Sequence, residues 1–281
     1  MKQLTIIEQQ DNNQFSLYDN RLDTILREFA GFEFADVRES IDDVAGQYGS
    51  VYITSKNGKR QMSIKGDLVS SDPFAQRRLL QKALRQTGTI KLIKFTTYDD
   101  LQLQCEAEVT KFLAPYTHQI HEFLIEMIAP DWRFYSQELQ SHDIAQTIVR
   151  GGMSIPANVP FSLPSPMVSD TEVSNILTNI GNETSDPIIT ITGPGAGFTI
   201  GNTTDDKEFF LDATLVGGDT VVIDVKKRTV VKNDVTNLYS SISGDFWSIL
   251  PGENELRFLV SSGLTTDTNL NIQFRHAYAG I

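Results

Sequence analysis

Histidines, a cysteine, serines and paired carboxylates are the groups here that could carry chemistry, and their spacing decides how far each can go. His118, His121 and Glu122 come nearest to a metal cluster, since on a helix the two histidines would share a face. The residues that follow, Phe123-Leu124-Ile125-Glu126-Met127-Ile128, read as strand instead, and there an odd offset sends side chains to opposite faces. His142 and His276 stand alone. Gly193-Pro194-Gly195-Ala196-Gly197 has no Lys-Ser/Thr after it and fits neither phosphate-loop spacing, so it is a connection between strands. Gly152-Met153-Ser154-Ile155-Pro156 lacks the final glycine of a nucleophile elbow. Asp42-Asp43, Asp99-Asp100 and Asp205-Asp206 are adjacent carboxylates of the kind that solvated turns carry. Asn182-Glu183-Thr184 and Asn202-Thr203-Thr204 fit the glycosylation pattern, which has no meaning without a secretory route. No catalytic, cofactor-binding or metal-ligating residue is assigned, and the chain is not read as an enzyme.

Bulk properties narrow the class. A chain of 281 residues suggests two domains of ordinary size, and 40% hydrophobic with 21% charged residues is globular material. Cys105 is the single cysteine, so no internal disulfide forms. Met1 to Glu8 is too short in apolar residues for a signal-peptide core. The apolar run Phe123–Ala129 is broken by Glu126, so no membrane span is expected, and synthesis and folding are expected in a cytoplasm. The net charge of −12 argues against a nucleic-acid binder, whose footprint is a basic face. Residues 1–155 hold 17 Lys and Arg against 21 Asp and Glu, net −4, and residues 156–281 hold 7 against 15, net −8.

The elements are mainly β. The first fifty residues show no clean period. Val51–Lys56 and Lys59–Ile64 flank Asn57-Gly58, a hairpin signal that would set Ile53 opposite Met62 and Val51 opposite Ile64, with Lys56, Lys59 and Arg60 at the tip. Ser71-Asp72-Pro73 starts the one confident helix and Gly88 ends it. Phe74, Leu80, Ala83 and Leu84 share its apolar face, and Arg77, Arg78, Lys82 and Arg85 point mostly away. Leu101, Leu103, Cys105, Ala107 and Val109 alternate with polar residues, which makes Cys105 an inward small hydrophobe. Four prolines between about residues 151 and 169 mark a stiff linker, dividing domain 1–155 from domain 156–281. In the second domain, Gly217-Gly218-Asp219 leads into Val221, Ile223 and Val225, which fold back on Thr229-Val230-Val231. Phe246–Leu250 and Leu256, Phe258 and Val260 form a second pair across Pro251-Gly252-Glu253-Asn254.

The order of these pieces resembles the distal tail proteins of long-tailed phages. The match lies in Asn179-Ile180-Gly181-Asn182, then Asp186-Pro187-Ile188-Ile189-Thr190-Ile191, the Gly-rich loop, the Gly-Asp turn and Pro-Gly-x-Asn before a late strand. The Arg-rich helix and the aliphatic strand ending in Pro130-Asp131-Trp132 extend it into the first domain. The resemblance implies an N-terminal β-sandwich or split barrel with one helix and a β-hairpin, and a C-terminal galectin-like β-sandwich. It also implies a structural virion component, a homo-oligomer forming a hexameric ring between the tail tube protein and the tail-tip hub and receptor-binding proteins. Genomic DNA would pass through an acid-lined lumen without specific binding, the cationic helix and hairpin tip would face neighbouring subunits or the periphery, and no carbohydrate-binding module is inserted. Two rivals stand beside it. A carbohydrate-binding adhesin would stack sugars on Trp247, Tyr239 or Tyr278, whereas in the structural reading Trp247 is core. A glycan hydrolase would rest on the acidic count alone.

Overall fold

The computed structural model describes residues 3–8, 14–18, 24–43, 48, 50–69, 71–84, 90–115, 121–145 and 173–281. His118, Arg85, Gly88, the Gly152–Pro156 motif and the expected linker lie outside the described residues. The chain begins β1 (Gln3–Glu8), β2 (Gln14–Tyr18), β3 (Thr24–Ala30), β4 (Val37–Asp43), β5 (Ser50–Asn57), β6 (Arg60–Leu68) and α1 (Pro73–Ala83). Next come β7 (Lys91–Thr96), β8 (Gln102–Leu113), β9 (Glu122–Ala129), β10 (Phe134–Ser136) and β11 (Gln140–Ala145). Then follow β12 (Val173–Asn179), β13 (Ile188–Thr192), β14 (Gly195–Asn202), β15 (Lys207–Leu215), β16 (Thr220–Asp224), β17 (Thr229–Lys232) and β18 (Thr236–Asn237). A short 3-10 turn at Tyr239–Ser241 leads to β19 (Ile242–Gly244), β20 (Gly252–Ser262), β21 (Asn269–Phe274) and β22 (Ala277–Tyr278). Two compact units result, Met1–Glu138 with Ala277–Ile281, and Leu139–His276. β11, which precedes the expected linker, pairs with β21 in the second unit.

In the first unit the strands run in the order β2-β1-β7-β8-β9-β6-β3, with β10 bridging β8 and β22. β8 is the corner. Its first half pairs with β7, a bulge falls between Val109 and Lys111, and its second half pairs with β9. The extra residue at a bulge bends and twists a strand, so one long strand serves both halves of a curled sheet. The expected alternation holds, with Leu103, Cys105, Ala107 and Val109 buried, and burial pushes the Cys105 thiol up to about 12. Asp72 caps α1 as expected, its Oδ1 accepting from Ala75 N at 3.0 Å, with Pro73 at the first helical position. Leu80, Ala83 and Leu84 are buried against the sheet. Phe74 is 44% exposed, its ring edge-on to His121 at 5.3 Å.

The hairpin expected across Asn57-Gly58 does not form. β5 pairs with β4, Gly58 N donates to Asp36 O at 2.8 Å, and β6 lies between β3 and β9. In its central place β6 gains two ladders in place of one and buries Met62, Ile64 and Leu68, each of which contributes roughly 1.5–3 kcal/mol. β5 is left with β4 as a two-stranded ribbon.

The second unit is a β-sandwich. One sheet runs β11-β21-β13-β16-β17-β18 and the other β12-β20-β14-β15-β19. Ile189, Ile191, Val221, Ile223, Leu270 and Ile272 of the first sheet share a core with Phe198, Ile200, Phe209, Leu211, Leu256 and Phe258 of the second. β16 and β17 fold back as expected, Val222 opposite Val231. Phe246–Leu250 does not pair with β20, whose neighbours are β12 and β14. It forms an irregular segment with one bridge, Ser185 to Ile249. Trp247 dictates this path: it is 1% exposed, stacks on Phe209 and donates from Nε1 to Ile200 O at 3.2 Å.

Candidate functional site

The sequence candidates for chemistry are dispersed. His121 stands just before β9 beside Phe74, and the first residue of the strand, Glu122, is 3.1 Å from Arg27 in an ion pair. His142 stacks on Phe274, and His276 Nδ1 accepts from Ile180 N at 3.2 Å. Among the described residues no group of three His, Cys, Asp or Glu could hold a metal ion. Asp99-Asp100 and Asp205-Asp206 lie on turns, and Asp42 lies on the ribbon. Gly193 and Pro194 form the crossing from one sheet of the sandwich to the other. A Cβ at Gly193 would sit 2.2 Å from Asp267 O, and its φ is +97°.

Arg60, expected at an exposed hairpin tip, is wholly buried. Its Nε and Nη2 donate to Trp132 O at 2.8 and 2.6 Å, Nη1 donates to Gly31 O and Glu33 O at 2.8 and 2.9 Å, and Nη2 also reaches Ala279 O. The guanidinium lies 4.1 Å over the Phe134 ring. One planar fork thus ties the β3–β4 turn, the β9–β10 turn and the segment after β22 together, and burial lowers the pKa of the group. Asp131 holds the β9–β10 turn in shape by accepting from Arg133 N and Nε, both at 3.1 Å, and from Tyr135 Oη at 2.7 Å. The signal was present in the sequence: Arg60 has the phase of Met62 and Ile64 in the period-two pattern, hence the inward face.

Around this scaffold the first unit presents three surfaces suited to contact. On the ribbon β4–β5, Val37, Ile41, Tyr52 and Ile53 are all at least half exposed, and Arg38 stands opposite Lys56. On α1, Ala75, Arg78, Leu79 and Lys82 form a solvent-facing stripe, Leu79 being 58% exposed. The third surface is a cleft of about 330 Å³ lined by Phe29, Phe32, Glu33, Tyr98, Asp99 and Ile281, among others. Tyr98 is 74% exposed on a turn that Thr97 fixes, Thr97 N bonding Leu101 O at 3.0 Å and Thr97 Oγ1 bonding Asp99. Glu33 and Asp99 are exposed.

In the second unit the polar residues of the turn motifs do structural work. Asn254 is fully buried. Its Oδ1 accepts from Leu250 N and Asn202 Nδ2 at 2.8 and 2.9 Å, and its Nδ2 donates to Leu250 O and Gly252 O at 2.8 and 3.0 Å. Every hydrogen-bonding position of that amide is used, which is why asparagine suits Pro-Gly-x-Asn. Asn179 is buried as well, taking Gly181 N on Oδ1 at 3.0 Å and giving Nδ2 to Glu183 O at 2.8 Å. Of the three aromatics that an adhesin would offer to sugar, Trp247 and Tyr278 are buried, and the half-exposed Tyr239 stacks on Phe246.

Residues 180–278 match the model of the siphovirus-type tail component, C-terminal domain. No curated protein matches the sequence. The fold is similar to the crystal structure of the SPP1 Dit protein, described as a paradigm of the hub adsorption apparatus in phages infecting Gram-positive bacteria. That likeness has a TM-score of 0.66 at 12% identity over 98% of each chain. A chain of the phage P2 baseplate in its activated conformation with Ca aligns at a TM-score of 0.47 and 10% identity, over 96% of this chain and 97% of that one. The family match falls mostly within the sandwich whose turns Asn254 and Gly193 fix: residues 180–278 are similar to the C-terminal domain of siphovirus-type tail components, and the chain shares the fold of the SPP1 Dit protein.

Proposed function

We propose that six copies of the first unit close into a ring at the end of the tail tube, and that the sandwich points outward to hold hub and receptor-binding proteins. The observation that carries this reading is the ribbon β4–β5. A two-stranded ribbon is marginal in water by itself, and this one exposes Val37, Ile41, Tyr52 and Ile53 to solvent. A neighbouring subunit that covers those side chains supplies the burial the ribbon lacks. Heterologous contacts of this type close into a ring when the rotation permits. Genomic DNA passes through the hole without specific binding, because a chain of net charge −12 gains little from counterion release. No catalytic role is assigned. Light-scattering mass of the wild type against Ile41→Asp with Tyr52→Asp tests the reading: six copies are expected for the first and one for the second. A wild type that stays monomeric at high concentration and with its tail partners present contradicts it.

A further inference from the structure

Within the first unit, the exposed stripe of α1 and the cleft at Phe29 and Tyr98 lie at opposite ends of the curled sheet. α1 sits at the end where Gln76 Nε2 donates to Thr24 Oγ1 at 2.9 Å, Phe74 meets His121, and Thr24 pairs with Leu68. The cleft sits at the other end of the same strand, at Phe29, beside the β7–β8 turn that carries Tyr98 and Asp99. Along β3 the two are separated by roughly 15 Å, from a rise of about 3.3 Å per residue.

The two surfaces are complementary. The cleft is apolar at its base, through Phe29, Phe32 and Ile281, with Glu33 and Asp99 among its lining residues and, among the described residues, no lysine or arginine. The α1 stripe sets one large exposed apolar side chain, Leu79, between two cations, Arg78 and Lys82. We propose that α1 of one copy seats in the cleft of the next, Leu79 entering between Phe29 and Tyr98 while Arg78 and Lys82 meet Glu33 and Asp99. The contact joins unlike surfaces at opposite ends of one unit, so it propagates head to tail and closes when the rotation allows. It rests on the ring reading and adds to it the socket, its occupant and the charge pairs that fix register.

Cysteine cross-linking tests it on the full chain, with the buried Cys105 inert in the native state. Leu79→Cys combined with Tyr98→Cys, assembled and then oxidised, is expected to give a covalent ladder that ends at the ring number, while either substitution alone gives none. Separately, Arg78→Glu with Lys82→Glu is expected to raise the dissociation constant about tenfold or more, the size of a 1.4 kcal/mol loss, and Glu33→Lys in that background to recover part of it. Protein that assembles by mass but yields no ladder overturns the socket and leaves the ring reading standing. A ladder from Leu79→Cys alone, meaning helix against helix, also overturns the socket. Protein that never assembles overturns both.

Discussion

The ribbon β4–β5 and the sandwich of the second unit are both antiparallel β-structure, yet they find burial in different places. In the sandwich, the inward residues of each strand meet those of the facing sheet, and Trp247, Phe198 and Phe258 are essentially removed from water. In the ribbon every described side chain from Val37 to Asp42 and from Tyr52 to Asn57 is exposed, Tyr52 at 57%. The first is complete within the chain. The second exposes the side chains that the proposed ring would cover, and so stability and assembly are expected to respond to different substitutions.

The largest effect is expected inside the sandwich. Trp247→Ala removes the Phe209 stack and the bond to Ile200 O and lowers stability by about 3–5 kcal/mol. Trp132 and Trp247 are the two tryptophans, so denaturant titration of this variant followed by Trp132 fluorescence reads the first unit alone. That signal is expected to stay at its wild-type midpoint if the two units unfold independently.

Arg60→Leu is expected to cost slightly less, about 2–4 kcal/mol, because buried carbonyls of Trp132, Gly31, Glu33 and Ala279 lose a charged donor. Arg60→Lys recovers only part of this, since an ammonium cannot reproduce the fork. The measurement is the same titration read from Trp132 in a Trp247→Phe background. A wild-type midpoint for Arg60→Leu would contradict the cage.

Ile41→Ser with Tyr52→Ser inverts the pattern. Stability of the isolated chain is expected to change by less than about 0.5 kcal/mol per site, as for ordinary surface positions, while assembly is lost. Thermal melts and sedimentation of the same preparation separate the two, and a large drop in melting temperature would mean that the ribbon is buried within its own chain.

The smallest effect concerns pH. Lys232, with the Val216 N–H and the Asn233 amide, holds the Asp219 carboxyl well below the usual carboxylate range. Its folded pKa is depressed, so its contribution is present above the unfolded value of about 3.9 and fades as pH falls below it toward the folded pKa. Melting curves of Asp219→Asn from neutral pH down into this acid range are expected to fall less steeply than those of the wild type. Identical slopes would remove the claim.

What was legible in the sequence follows the same division. Strands β8, β9, β16 and β17 were readable because their apolar residues alternate and are buried inside the chain, and α1 because Asp72 and Pro73 mark its start. The hairpin across Asn57-Gly58 was misread because the apolar residues of β5 alternate as if for a core, yet Ile53 is more than half exposed. Arg60 was misread because charge was given more weight than phase. Phe246–Leu250 was misread because one buried tryptophan fixes a segment without any ladder. The cleft could not be read at all, since Phe29, Glu33, Tyr98 and Ile281 converge only through the fold.

The most direct test of the account is imaging of the assembled wild-type protein with subunits counted around any central hole. Six copies, with each ribbon lying against the next subunit so that Ile41 and Tyr52 are covered, is the predicted result. Single copies without a hole, or rings in which the ribbons point freely into solvent, would contradict it.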